Sequence, residues 1–335
     1  MGGMTRGMTG LWIRGMRPRT LPASVAPVIV GACCARMLDL RGVCDTSRPL
    51  LERCVAPVAS SASSDASGHV MMAAGTPRFW TIAILCAVVA VGMQIAVNFA
   101  NDYSDGIRGV DDGRGEAESA TGSPQRLVAS GFVPPRRVLA AAGVAASIAC
   151  IAGVGVAMAS GRWWLIVVGA LCLPAGWCYT GGRHPYGYRG LGEVFVFVFF
   201  GLVATLGTQV ALAGRVDTVG VAGATGVGLQ SVTLLMVNNL RDLDADREHG
   251  KRTLAVRLGE RGARRALVVC MIAAAACAYA VAALTRPAVV PLCYVALTFA
   301  VCVWGYVRHH DWRMALTCAG FQPLLFAVVT LACAW

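Results

Sequence analysis

NFANDYSDGIRGVDD, residues 98–112, gathers two asparagines and four aspartates at the end of a stretch, Phe79 to Val97, that holds no charged side chain. A second junction of this kind follows the uncharged stretch Thr218 to Val237: NNLRDLDADREHGK, residues 238–251. Ionisable groups at the foot of an apolar span are costly to desolvate and mark function more often than structure. The two segments are therefore read together, as facing walls of one membrane-embedded cavity.

Composition supplies the membrane. Of 335 residues, 56% are hydrophobic and 14% charged, with a mean hydropathy of +0.62, whereas a soluble domain carries about 25% charge. Crossing the hydrocarbon layer takes roughly 20 apolar residues in a helix that satisfies its own backbone hydrogen bonds. Such runs occur near 22–38, 78–100, 137–159, 162–180, 190–212, 217–240, 264–284, 288–307 and 314–334. The expected fold is all-α, a polytopic membrane helical bundle of about nine transmembrane helices around a central cavity. We expect a single domain over residues 1–335, interrupted by a polar, serine-rich and flexible insert at 39–77. Cys44 and Cys54 of the insert either pair, if the loop faces an oxidising exterior, or stay free.

Every cation but Lys251 is an arginine, and the formal charge is +11. On a soluble chain that excess would suggest nucleic acid; here the positive-inside rule and anionic substrates account for it, and nucleic acid is not an expected partner. With the N-terminus in the cytoplasm, 21 of the 29 Lys and Arg fall on the side of both motif loops and 8 on the other. That asymmetry predicts cytoplasmic motif loops and an exterior C-terminus. Arg6, Arg14, Arg17 and Arg19 precede the first apolar run as in a secretory signal, yet the run leads on into further spans, so the segment is expected to be retained. The fourteen cysteines lie mostly inside apolar runs as small hydrophobes, and no CxxC or Cys/His spacing suggests zinc or haem.

At about 3.6 residues per turn, Gln94, Asn98, Asn101, Asp102 and Asp105 share one helical face, and Asn238, Asp242 and Asp246 share another at i, i+4, i+8. Oxygen-only donors of this kind suit Mg²⁺, which keeps several waters and shares carboxylates with substrate phosphate oxygens. Arg241, Arg247, Lys251 and Arg252 accompany the second motif, and Arg108, Arg114 and Arg126 the first. Cations mixed with metal-binding carboxylates point to a diphosphate ligand. The competing reading is a set of helix-end acids paired with nearby arginines in a solvated loop. A third loop, YTGGRHPYGYRGLGE at 179–193, places Tyr179, Arg183, Tyr186, Tyr188 and Arg189 among glycines. It reads either as an aromatic interface belt or as a holder for an aromatic or carboxylate-bearing acceptor.

NDYSD at 101–105 and the DxxxD pattern of Asp242 and Asp246 resemble the paired motifs of the UbiA-type intramembrane prenyltransferases. RPRTLPASVAPV (17–28), PQRLVASG (124–131), YTGGRHPYGYRGLGEVFVFVFFG (179–201) and NNLRD followed by GKRTLAVRLG (250–259) narrow the resemblance to the menaquinone branch of that family, the 1,4-dihydroxy-2-naphthoate polyprenyltransferases. It covers nearly everything outside the insert. One departure is Gly109, where family members commonly carry a further Asp; Asp111 and Asp112 stand nearby.

The resemblance implies an integral protein of the bacterial cell membrane that transfers a polyprenyl group from its diphosphate to 1,4-dihydroxy-2-naphthoate, with loss of the ring carboxylate, giving demethylmenaquinone. It implies Mg²⁺ as cofactor, and both substrates and membrane lipid as partners. By motif, Asn101, Asp102, Asp105, Asp242 and Asp246 are the catalytic and metal-site residues. Asn98, Arg126, Tyr179, Arg183, Asn238, Arg241 and Lys251 are the substrate-binding set, with Arg17 and Arg183 as candidates for the acceptor carboxylate. The alternatives are a same-fold enzyme acting on 4-hydroxybenzoate, homogentisate or a haem, and, in another class, a transporter of an anionic lipid or metabolite.

Overall fold

The computed structural model describes residues 10–43, 76–109 and 126–335. Most of the insert, with Cys44 and Cys54, lies outside the described residues, as do Asp111, Asp112 and Arg114. The insert's edges are helical: the first span continues to Val43 and the next begins at Pro77.

The described residues are almost wholly helical, as the hydropathy requires. In chain order the helices are α1 (Leu21–Val43), α2 (Pro77–Gly106), α3 (Pro135–Ser160), α4 (Leu165–Cys178), α5 (Gly192–Ala213), α6 (Thr218–Arg241), α7 (Leu243–Glu248), α8 (Leu254–Thr285), α9 (Val290–Arg308) and α10 (Trp312–Ala334). Local chemistry sets several starts. Thr76, Asp217, Thr253 and Asp311 each accept a backbone N–H of the first turn, and Pro77 supplies a ready-made first helical φ.

Eight helices among the described residues are long and apolar enough to cross a membrane. The ninth expected span differs: α4 has 14 residues, about 21 Å of helix against a ~30 Å hydrocarbon layer. Its expected first turn is spent otherwise, because Gly161 ends α3 at φ 73° and the chain turns through Arg162, Trp163 and Trp164 before α4 begins. A second difference lies in α5. Phe197–Leu206 winds as a π-helix, a widened form that tends to occur at functional sites.

α1 and α6 form the centre of the bundle, each with about two-thirds of its apolar stretch buried. Val30, Cys34, Val227, Val281 and Phe326 join α1, α6, α8 and α10 in one core cluster. Close backbone approach replaces side-chain bulk where α5 meets α6: a methyl group on Gly201 would stand 2.8 Å from the Gly228 Cα. Small residues allow this contact in a bilayer, where burying apolar side chains between helices gives little advantage over lipid. The perimeter is apolar and exposed, as with Val144, Ile148 and Ile151 on α3 and Val269 and Ile272 on α8, which suits lipid contact. The chain is an integral membrane protein.

Candidate active site

α2 and α6 bring their polar ends to the same side of the bundle. Between them lies a cavity of about 620 Å³. Its walls carry Asn98, Asn101 and Asp105 from α2, and Asn238, Arg241, Asp242 and Asp246 from the α6–α7 junction. Arg126, Tyr179 and Lys251 also line it, so ten of the twelve residues expected from sequence meet in one place.

The second motif does not run as one continuous helix. α6 stops at Arg241, Asp242 takes φ −92° and ψ 9°, and α7 restarts at Leu243. The i to i+4 spacing survives the break, since Asp242 N donates to Asn238 O at 3.1 Å and Asp246 N to Asp242 O at 2.8 Å. All three side chains therefore still reach the cavity. Arg241 grips its neighbour, with Nε and Nη2 each 2.8 Å from an Asp242 carboxylate oxygen.

On α2, each polar side chain has a defined partner. Asn98 Nδ2 donates to Met16 O at 2.8 Å, which ties the N-terminal segment to the cavity rim, and Asn98 Oδ1 accepts Gln94 Nε2 at 3.0 Å. Thr180 Oγ1 donates to Asn101 Oδ1 at 2.7 Å. Asp105 accepts the Tyr188 hydroxyl on Oδ1, and Lys251 Nζ lies 3.6 Å from Oδ2. The chain leaves α2 through Gly109 at φ 69°. The left-handed conformation gives this position a backbone reason to be glycine rather than a further Asp.

Asp102 and Arg183 do not line the cavity. Asp102 sits at the edge of the polar face and turns towards the neighbouring loop, accepting Leu127 N at 2.9 Å and Val128 N at 3.2 Å. Its carboxylate thereby fixes the turn that carries Arg126. Arg183 is exposed on the loop after α4.

Tyr188 also lines the cavity, although the sequence reading left its role open. It lay in the third loop, where an aromatic belt explained it equally well. In the fold it sits in a short 3₁₀ turn, Tyr186–Arg189, with Lys251 Nζ 4.6 Å from its ring centroid. Burial, reinforced by the Asp105 carboxylate, pushes its phenol well above the ordinary tyrosine range, so it remains a donor. Arg108 straps the same loop down by donating to Thr180 O and Gly182 O.

The donors fit a hard divalent cation, being oxygen from Asp and Asn throughout. They do not form a closed cage: among the described residues no three His, Cys, Asp or Glu converge as a metal cluster. Carboxylates spread over two walls, with Lys251 on one and Arg241 on another, suit ions that complete their shells with diphosphate oxygens and water. Further in, the cavity becomes apolar and aromatic. Tyr186 stacks on Phe195 at 4.0 Å between centroids, and Phe195 on Phe199 at 6.0 Å.

The UbiA prenyltransferase family model matches residues 65–332. The chain is 43% identical over 262 residues, 78% of its length and 74% of the relative's, to the 1,4-dihydroxy-2-naphthoate octaprenyltransferase of Mycobacterium leprae. Its fold is similar to the apo structure of a UbiA homolog from Aeropyrum pernix K1, with TM-score 0.65, 17% identity and coverage of 93% and 97% of the two chains. It is also similar to a UbiA homolog from Archaeoglobus fulgidus bound to DMAPP and Mg²⁺, with TM-score 0.59, 13% identity and coverage of 96% and 98%. This chain belongs to the UbiA prenyltransferase family.

Proposed function

We propose that the protein is a prenyltransferase that moves a polyprenyl group from its diphosphate to 1,4-dihydroxy-2-naphthoate in menaquinone synthesis. One observation carries the reading. A single cavity presents carboxylates and cations from two separate motifs at its polar end and an aromatic, apolar wall beyond. That is the shape of an amphiphilic diphosphate. The named relatives support the acceptor, with the Mycobacterium leprae enzyme covering most of the chain.

Asp105, Asp242 and Asp246, with Asn101 beside them, would hold Mg²⁺, which when bound neutralises the diphosphate and favours its departure. Lys251, Arg126 and Arg241 take up the remaining diphosphate charge. Cleavage of the bond between prenyl C1 and the diphosphate oxygen sends the electron pair out with diphosphate and leaves an allylic cation. The ring faces of Tyr186, Phe195 and Phe199 stabilise that cation and keep water from it. The electron-rich ring carbon bearing the carboxylate attacks C1, and carbon dioxide leaves with restoration of the aromatic ring.

Of the two arginines suggested for the acceptor carboxylate, Arg17 is favoured. It lines the cavity, its Nη2 is buried with no hydrogen-bond partner among the described residues, and Arg183 is exposed. The charge asymmetry supports a site opening to the cytoplasmic face of a bacterial cell membrane. Incubating purified protein with Mg²⁺, 1,4-dihydroxy-2-naphthoate and a prenyl diphosphate should give the decarboxylated prenylnaphthoquinol mass. Absence of that product, with prenylation of 4-hydroxybenzoate instead, would overturn the acceptor.

A further inference from the structure

Tyr188 is held at its backbone, its ring and its hydroxyl by three separate parts of the chain. Its 3₁₀ turn lies between Pro185 and Gly190, whose φ of 73° ends it, and Gly187 N donates to Tyr179 O at 3.0 Å. The Tyr188 carbonyl accepts Arg252 N at 2.9 Å, which joins this loop to the segment after α7. Its hydroxyl donates to Asp105 Oδ1 on α2, while the Lys251 ammonium lies between the ring, at 4.6 Å, and Asp105 Oδ2, at 3.6 Å. One side chain thus spans the two acidic motifs.

A carboxylate has two oxygens, and a hydrogen bond on one limits how the other turns. Resting on the functional reading above, we propose that Tyr188 is the positioning residue of the diphosphate end. Its phenol fixes Asp105 Oδ1 and so sets the orientation of Oδ2, the oxygen that would be left for a divalent cation, and its ring holds Lys251 beside that oxygen. Hydrogen bonds behind ligating carboxylates typically affect metal affinity about 10- to 100-fold. The ring supplies a separate contact, a cation over an aromatic face. The two contributions can be removed one at a time.

The test uses full-length protein in detergent with Mn²⁺ as the probe ion and farnesyl thiodiphosphate as an unreactive donor, bound Mn²⁺ being read by electron paramagnetic resonance. Tyr188→Phe, which loses the hydroxyl and keeps the ring, should bind Mn²⁺ about 10- to 100-fold more weakly, with an unchanged melting temperature. Its Mg²⁺ requirement for turnover should rise in parallel, with kcat recovered at saturating Mg²⁺. Tyr188→Leu should show the same loss and, in addition, a raised KM for prenyl diphosphate. Mn²⁺ binding by Tyr188→Phe equal to wild type overturns the proposal, and so does a loss of binding that merely tracks a lower melting temperature. A wild-type protein that binds no Mn²⁺ sinks the functional reading as well, whereas equal binding by wild type and variant sinks this proposal alone.

Discussion

Arg241 closes Nε and Nη2 on the two carboxylate oxygens of Asp242, each at 2.8 Å, although the two residues are sequence neighbours. The grip is possible because α6 ends between them and Asp242 leaves helical geometry. Both residues line the cavity, so the guanidinium is in place to take part in diphosphate binding as well as to pair with Asp242. Arg241→Ala should raise the KM for prenyl diphosphate roughly 10- to 100-fold, the equivalent of one charge-assisted contact. Asp242→Ala should abolish turnover while the protein still inserts and folds. Steady-state kinetics over a range of prenyl diphosphate concentrations decide it; an unchanged KM in Arg241→Ala would leave that residue as nothing more than a partner for Asp242.

Asp102 and Asp105 stand one helical turn apart and should fail in different ways. Asp102 is 2% exposed and spends both oxygens on the backbone amides of Leu127 and Val128. Asp102→Ala leaves two donors unsatisfied, at about 1–3 kcal/mol for each buried one. It should lower the melting temperature and loosen the turn that bears Arg126. Asp105→Asn keeps an acceptor for the Tyr188 hydroxyl and should fold normally, yet lose turnover. Melting curves and product formation on both variants separate the roles, and equal melting temperatures would refute the structural one for Asp102.

That contrast marks where sequence was informative. Spacing along α2 put Gln94, Asn98, Asn101, Asp102 and Asp105 on one face, and four of the five do line the cavity. What spacing could not show is that Asp102, at the edge of the arc, has a loop from 25 residues later against it. The span pattern was equally legible, because long uncharged runs have few alternatives in lipid. The π-helical stretch of α5, Phe197–Leu206, was not, since its apolar run carries no signal that separates π from α winding. Tyr188 was ambiguous for a related reason: only folding brings its hydroxyl to Asp105, 83 residues away in sequence.

The contact between α5 and α6 depends on two glycines. A Cβ on Gly201 would stand 2.8 Å from Gly228 Cα, whereas one on Gly169 of α4 meets nothing within 4 Å. Gly201→Ala should push the helices apart and destabilise the protein by about 1–3 kcal/mol. Gly169→Ala should be neutral, or stabilising by about 0.5–1 kcal/mol, because alanine restricts the unfolded chain. Thermal unfolding of both variants in the same detergent checks the pair, and equal shifts would argue against a tight α5–α6 contact.

Arg17 combines two features that a purely structural residue rarely shows together. Its backbone is left-handed, φ 54° and ψ 65°, just before Pro18, and its buried Nη2 has no hydrogen-bond partner among the described residues. A non-glycine residue in that conformation costs about 1–2 kcal/mol, so Arg17→Gly should hold or raise the melting temperature. If the guanidinium receives the acceptor carboxylate, the same substitution should raise the KM for 1,4-dihydroxy-2-naphthoate roughly 30- to 100-fold. The KM for prenyl diphosphate should stay within about twofold, since Lys251, Arg126 and Arg241 remain. Arg17→Lys should recover part of the loss, because a point charge attracts a carboxylate without the two-pronged fit. The decisive comparison uses 1,4-dihydroxynaphthalene, which lacks the carboxylate: wild type and Arg17→Gly should use it equally poorly. A variant that discriminates between the two acceptors as strongly as wild type would remove Arg17 from the acceptor site.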